Sequence, residues 1–207
     1  MNHLAHFRLA DPDAGLIVGG FLGDFVKGRL PSTYLPPIDR GIKLHRAIDG
    51  FTDQHPIVKQ SQRRLGPDLR RFAPVISDVV YDHFLARHWQ TFHPQALPEY
   101  CASIYQTVKA FDAHLPASIN GLISRMEQHK SLENYVQPDT VERVLKHLSG
   151  RLRRESPMIK GFTGFLDHYD ALEKDFLAFF PDILDFSKSW QEQHGSCESY
   201  ISCPSTE

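Results

Sequence analysis

The chain has little cysteine, no long apolar run and no excess of either charge, and each shortage removes a class of protein. Its three cysteines, Cys101, Cys197 and Cys203, are too few to pair evenly into a disulfide framework. No apolar stretch approaches the roughly 20 residues a membrane-spanning helix needs. The opening MNHLAHFRLADPDAG has neither the basic start nor the continuous apolar segment of a secretory signal. A reducing cytoplasm is the expected compartment, with no membrane partner. A net charge of −2 speaks against nucleic-acid binding through bulk positive charge. Neither a P-loop nor a Gly-rich dinucleotide fingerprint occurs, and alternating strand-like runs and internal repeats are also missing.

What remains is helical. The 207 residues, 41% hydrophobic and 23% charged, suffice for one sizeable core. Ile17, Phe21, Leu22, Phe25 and Val26 recur at helical spacing between Ala14 and Val26. After a proline loop from Pro31 to Pro37, Asp39 is expected to N-cap a helix from Arg40 to Phe51. Ile57 to Leu65 follows, then a helix from Val75 to Thr91 with Pro74 in its first turn. That helix is apolar on most sides and should be central. Further helices are expected over Glu99–Ala113, Pro116–Glu127, Asp139–Leu148 and Ile159–Phe180, with Pro181 ending or kinking the last. The expected organisation is an all-α, single-domain helical bundle over residues 1–190, with a flexible tail over 191–207.

Ionisable groups recur where core residues belong. Asp78 and Asp82, four apart, share one stripe of the 75–91 helix among Val75, Val79, Leu85 and Trp89, and His83 borders it. Two carboxylates in an apolar setting repel each other and lose hydration, a conflict that a divalent cation or buried arginines would remove. His45, Asp49 and Thr52 line one edge of the preceding apolar face, where Asp49 can share an ion with His45 or orient its ring. Asp24 extends the stripe of Ile17 and Phe21, and His6 lies between Ala5 and Phe7. Taken singly, each fits a structural polar contact equally well. Their convergence from three segments points to an oxygen- and imidazole-rich metal site, suited to Mn²⁺, Mg²⁺ or Fe²⁺.

The blocks MNHLAHFRLA, GGFLGDFVKG, GIKLHRAIDGFTDQHPIV, APVISDVVYDHFLARHW and FLDHYDALEKDFLAFFPDI occur in that order. Together they resemble the acyl carrier protein phosphodiesterase (ACP hydrolase) family over roughly residues 1 to 186, itself related to helical HD-type metal phosphohydrolases. The resemblance implies metal-dependent hydrolysis, with Mn²⁺ preferred, of the phosphodiester joining 4′-phosphopantetheine to a serine of holo-acyl carrier protein, a reaction of lipid metabolism. It implies Asp24, His45, Asp78 and Asp82 as metal ligands, and Asp49 as ligand or orienter of His45. His83 or His55 would protonate the leaving oxygen, and Arg46 would balance phosphate charge. His6 and Asp53 are weaker candidates. Lys27, Arg29, Arg63 and Arg64 would help dock an acidic protein substrate. The chain departs from the HD signature at Asp82-His83, where the order of the two residues is reversed.

Two other readings fit the residues alone. One is a metal phosphohydrolase acting on a nucleotide or other small phosphate ester, with the same cluster and a different pocket. The other is a non-catalytic helical binding protein in which the buried Asp and His are polar cross-links.

Overall fold

In a computed structural model of the chain, residues 1–29, 34–116, 119, 121–152 and 156–195 are described. Among them every regular element is helical, as the periodicity predicts: α1 (His3–Ala10), α2 (Ala14–Leu22), α3 (Pro36–Gln54), α4 (Pro56–Arg64), α5 (Ala73–Arg87), α6 (Trp89–Phe92), α7 (Leu97–Lys109), α8 (Leu122–Gln128), α9 (Asp139–Gly150), α10 (Gly161–Asp167) and α11 (Tyr169–His194). No helix among them is long and apolar enough to cross a membrane.

α5 forms the centre. Ile76, Val79, Val80, Phe84 and Leu85 are buried on it, so it has almost no solvent face. α1, α4 and α11 pack against it, and the large rings of α11 (Phe176, Phe179, Phe180) complete the core. Val75, expected among the buried neighbours, is exposed at 39%, because in the first turn of α5 Ala73 and Ile76 face the core and Val75 faces away.

α2 and α3 approach more closely than ordinary side chains allow. A Cβ built at Gly19 would run into the carbonyl oxygen of Ile38 and lie 2.6 Å from the Cα of Gly41; one at Gly41 would lie 2.7 Å from the carbonyl oxygen of Leu16. Gly15, Gly19 and Gly23 fall four apart and form one ridge of α2 and its C-cap. This ridge sets the separation of the two helices. Asp13 fixes the start of α2 by accepting from the Leu16 amide at 3.0 Å.

Several boundaries differ from the sequence expectation, each for a local reason. α2 stops at Leu22, short of Val26, and the backbone then turns through Asp24. α3 begins at Pro36, with its prolines in the first turn, so Asp39 is inside the helix and pairs with Lys43 at 2.6 Å instead of capping. Residues 30–33 of the expected loop lie outside the described residues, as do parts of the expected 116–127 helix.

The helix expected over 75–91 breaks at His88, where Trp89 turns to pack on His93 and Tyr100 and donates its indole N–H to the Gln95 carbonyl at 2.8 Å. The expected 159–180 helix is divided at His168, which lets Phe165 and Tyr169 both reach the ring of Phe84. Pro181 neither ends nor bounds α11. Burial of Phe179, Phe180 and Ile183 around it offsets the roughly 3 kcal/mol that an interior proline costs. The helix also continues through Gln191, where a flexible tail was expected to begin, because that side chain donates to the Leu9 carbonyl at 2.8 Å. Cys101 is buried and free, while Cys197 and Cys203 lie outside the described residues.

Candidate active site

Three segments bring their ionisable side chains to one place. α1 contributes His3 and His6, the turn after α2 contributes Asp24, and α3 contributes His45 and Asp49. The rings of His6 and His45 stack with centroids 3.8 Å apart and form a buried floor, 2% and 4% exposed. Asp49 lies across both, with Oδ1 3.2 Å from His6 Nε2 and Oδ2 3.2 Å from His45 Nε2. Asp24 stands 3.8 Å from His45 Nε2 and 3.4 Å from His3 Nδ1. The carboxylates are the open side, with Asp24 46% and Asp49 42% exposed. Asp78 of α5 joins from the far side: the α-ammonium of Met1 lies 3.1 Å from it and 3.3 Å from Asp49.

The local sequence explains this geometry. His45 Nδ1 is 2.9 Å from the Gly20 carbonyl, so this nitrogen donates, and in the neutral ring Nε2 presents a lone pair to Asp24 and Asp49. Three acceptors then converge, and a proton or a metal cation has to lie among them. Gly23 is required here, since a Cβ at that position would overlap the His45 ring. α1 lacks a side-chain cap of its own. Asp82 supplies one from α5, accepting from the amides of Leu4 at 2.9 Å and Ala5 at 3.1 Å, and so holds α1 and its two imidazoles in place.

Electrostatics follow burial. Burial, with the neighbouring His45, pushes the His6 ring down to about 4. The ring is therefore neutral at pH 7, the state a metal ligand needs. Burial works to raise the Asp49 carboxyl, but hydrogen bonds from His45, whenever its Nε2 carries a proton, and from His6 outweigh it and hold the group well below the usual carboxylate range. Burial pushes Asp82 up to about 7, against the pull of the two amides.

The depressed His6 value carries a stability prediction. The unfolded ring takes a proton near 6.5 and the folded ring only near 4, so this contribution is complete above pH 6.5 and is lost as pH falls toward 4. The expected loss is about 3 kcal/mol. Urea unfolding of the metal-free protein at pH 7 and pH 4.5 should show it, and His6→Gln should remove that part of the slope. An identical slope in His6→Gln would show that the ring is not held neutral.

Of the residues singled out from sequence, Asp24, His45, Asp49, Asp78 and His6 are brought together. His83 is not: its Nδ1 is 2.7 Å from the Tyr135 carbonyl and its Nε2 2.9 Å from the Tyr169 hydroxyl, among Phe84 and Phe165. His55 faces α11, 3.2 Å from Asp182 and packed on Phe51 and Phe179. Asp82 has both oxygens committed to α1, which makes it a cap in place of the ligand expected. Asp53 is exposed one turn beyond Asp49 and adds negative potential at Asp78. Arg46 is exposed and donates to the Val26 carbonyl at 3.1 Å, tying α3 to the turn that carries Asp24. Lys27 and Arg29 are exposed beyond that turn, and Arg63 is exposed on α4. Arg64, 31% exposed, is tied to buried Asp175, to which its Nε donates at 2.8 Å. The sequence reading missed His3. Its signal was present, since His3 and His6 are three apart and share a face of one helix.

A family model described as "Acyl carrier protein phosphodiesterase" matches residues 1–183. A protein of that name from Yersinia pestis is 34% identical over 185 residues, 89% of this chain and 96% of its own length. Another, from Enterobacter sp. (strain 638), is 34% identical over 192 residues, 92% of this chain and 100% of its own length. The protein of the same name from Yersinia enterocolitica is 32% identical over the same span. No solved structure matches.

Proposed function

This chain belongs to the acyl carrier protein phosphodiesterase family, and from that premise we propose that it hydrolyses the phosphodiester between 4′-phosphopantetheine and the serine of holo-acyl carrier protein. The products are apo-carrier protein and 4′-phosphopantetheine. The observation that carries the reading is the His6–His45–Asp49 group, whose ligand atoms all lie within 4.8 Å of one another.

The donor set fits a divalent ion such as Mn²⁺, with Mg²⁺ or Fe²⁺ as substitutes. Two imidazoles and several carboxylates are borderline-to-hard ligands. Nδ1 of His6 is buried without a hydrogen-bond partner, and Asp49 and Asp78 already share a positive group. His6, His45, Asp49 and Asp24 would hold the ion, with Asp78 on the opposite side. A bound ion supplies Lewis-acid charge to phosphoryl oxygens and acidifies a water.

The chain's own residues do the rest. Asp49 keeps both rings oriented, and the Gly20 carbonyl fixes the tautomer of His45. Lys27, Arg29 and Arg46 put positive charge on the open side, where a phosphodiester anion approaches. With His83 and His55 turned elsewhere, His3, which stands against Asp24 with 24% of its side chain exposed, is the imidazole placed to relay a proton from solvent to the leaving serine oxygen, since burial lowers its hold on a proton of its own.

Mass spectrometry tests the reading. Holo-carrier protein incubated with the enzyme and Mn²⁺ should lose the mass of the prosthetic group, and chelator should prevent the loss. An unchanged holo mass in the presence of Mn²⁺ overturns it.

A further inference from the structure

A cavity of about 460 Å³ lies at the end of α4, lined by Lys59, Gln62, Arg63, Pro67, Arg70 and Ala73. Lys59 and Arg63 are four apart and stand on one face of α4. Gly66, at φ +89°, turns the chain sharply, and the short 3-10 helix Pro67–Leu69 brings Arg70 to the same cavity. Between Lys59 and Arg71 there are five cations and one carboxylate, in a chain of net charge −2. Arg64 has a structural partner in Asp175. Lys59, Arg63 and Arg70 are exposed, and among the described residues none has an acidic group within ion-pair distance.

Uncompensated like charges around one concavity repel each other. An anionic surface seated there would remove that repulsion. An exposed aliphatic lies beside it: Ile159 is 40% exposed in a segment packed on Pro67–Leu69, whose proline lines the cavity. Cations beside exposed aliphatics suit a protein surface better than a nucleic-acid backbone, which offers aliphatic groups nothing to cover. The basin and the candidate site share α5. Gln62 Nε2 donates to the hydroxyl of Ser77 at 3.5 Å, and Ser77 precedes Asp78. Ala73 is five residues before Asp78 on α5, about 7.5 Å of helix rise.

We infer that this basin docks a carboxylate-bearing face of the protein substrate and so delivers its phosphodiester to the Asp49 cluster. The identity of the partner as carrier protein rests on the function proposed above; the anionic-protein chemistry does not. Lys59→Ala, Arg63→Ala and Arg70→Ala combined should weaken apo-carrier-protein binding about tenfold, measured by calorimetry at physiological salt. The same variant should raise KM for phosphopantetheine release about tenfold and leave kcat within about twofold. A control with Arg125→Ala, Lys174→Ala and Lys188→Ala removes equal charge elsewhere and should bind as wild type. Unchanged binding in the basin variant, or equal loss in the control, overturns the docking site. Tighter basin-dependent binding of an RNA or DNA oligomer than of carrier protein also overturns it. Basin-dependent binding without phosphopantetheine release would leave the docking site standing and remove the proposed reaction.

Discussion

Replacing Asp49 by alanine should lower phosphopantetheine release by on the order of a thousandfold and abolish Mn²⁺ binding, while the protein stays folded. Loss of a group that merely orients a ligand costs about 10- to 100-fold. Asp49 both orients two rings and offers its own oxygens, so its loss should exceed that range. It is 42% exposed at the edge of the apolar face of its helix, and no helix cap depends on it. The melting temperature of the metal-free variant should therefore fall within a few degrees of wild type, whereas added Mn²⁺ should stabilise only the wild type. Turnover within threefold of wild type in Asp49→Ala would remove the cluster from the chemistry altogether.

The second large effect concerns no ionisable group. Gly19→Ala should cost about 3 kcal/mol or more, because the added methyl meets backbone atoms of Ile38 and Gly41 that cannot swing aside as side chains do. Separating α2 from α3 also moves the Gly20 carbonyl away from His45, so the folded fraction should turn over slowly as well. Gly50 provides the contrast. It lies in α3 with nothing within 4 Å of a built Cβ, and Gly50→Ala should stabilise by about 0.5–1 kcal/mol. Chemical denaturation of the two variants side by side settles the point. Equal midpoints would mean that the seam between α2 and α3 can open freely.

How far the site could be read from the residues depends on what periodicity encodes. It placed Asp24, His45, Asp49 and Asp78 on inward stripes, and the structure brings all four together. It also put Asp82 beside Asp78, yet the two sit about 6 Å apart along the axis and meet different neighbours. One reaches Met1 and the other the first amides of α1. A helical wheel gives direction relative to its own axis and says nothing of which element covers that direction. His83 and His55 show the same gap, each satisfied by a partner more than fifty positions away in sequence. The glycine ridge was visible as Gly15, Gly19 and Gly23, but only Gly41 on the facing helix gives that spacing its meaning.

The borrowed cap on α1 has a consequence for biosynthesis. An eight-residue helix with no cap of its own is too short to persist in water. It waits for a carboxylate supplied 78 positions after Leu4. On the ribosome, His3 and His6 emerge well before Asp82 and yet cannot settle until that residue has cleared the exit tunnel and its helix has docked. A nascent chain halted before that length carries the imidazoles without the architecture that makes them a site.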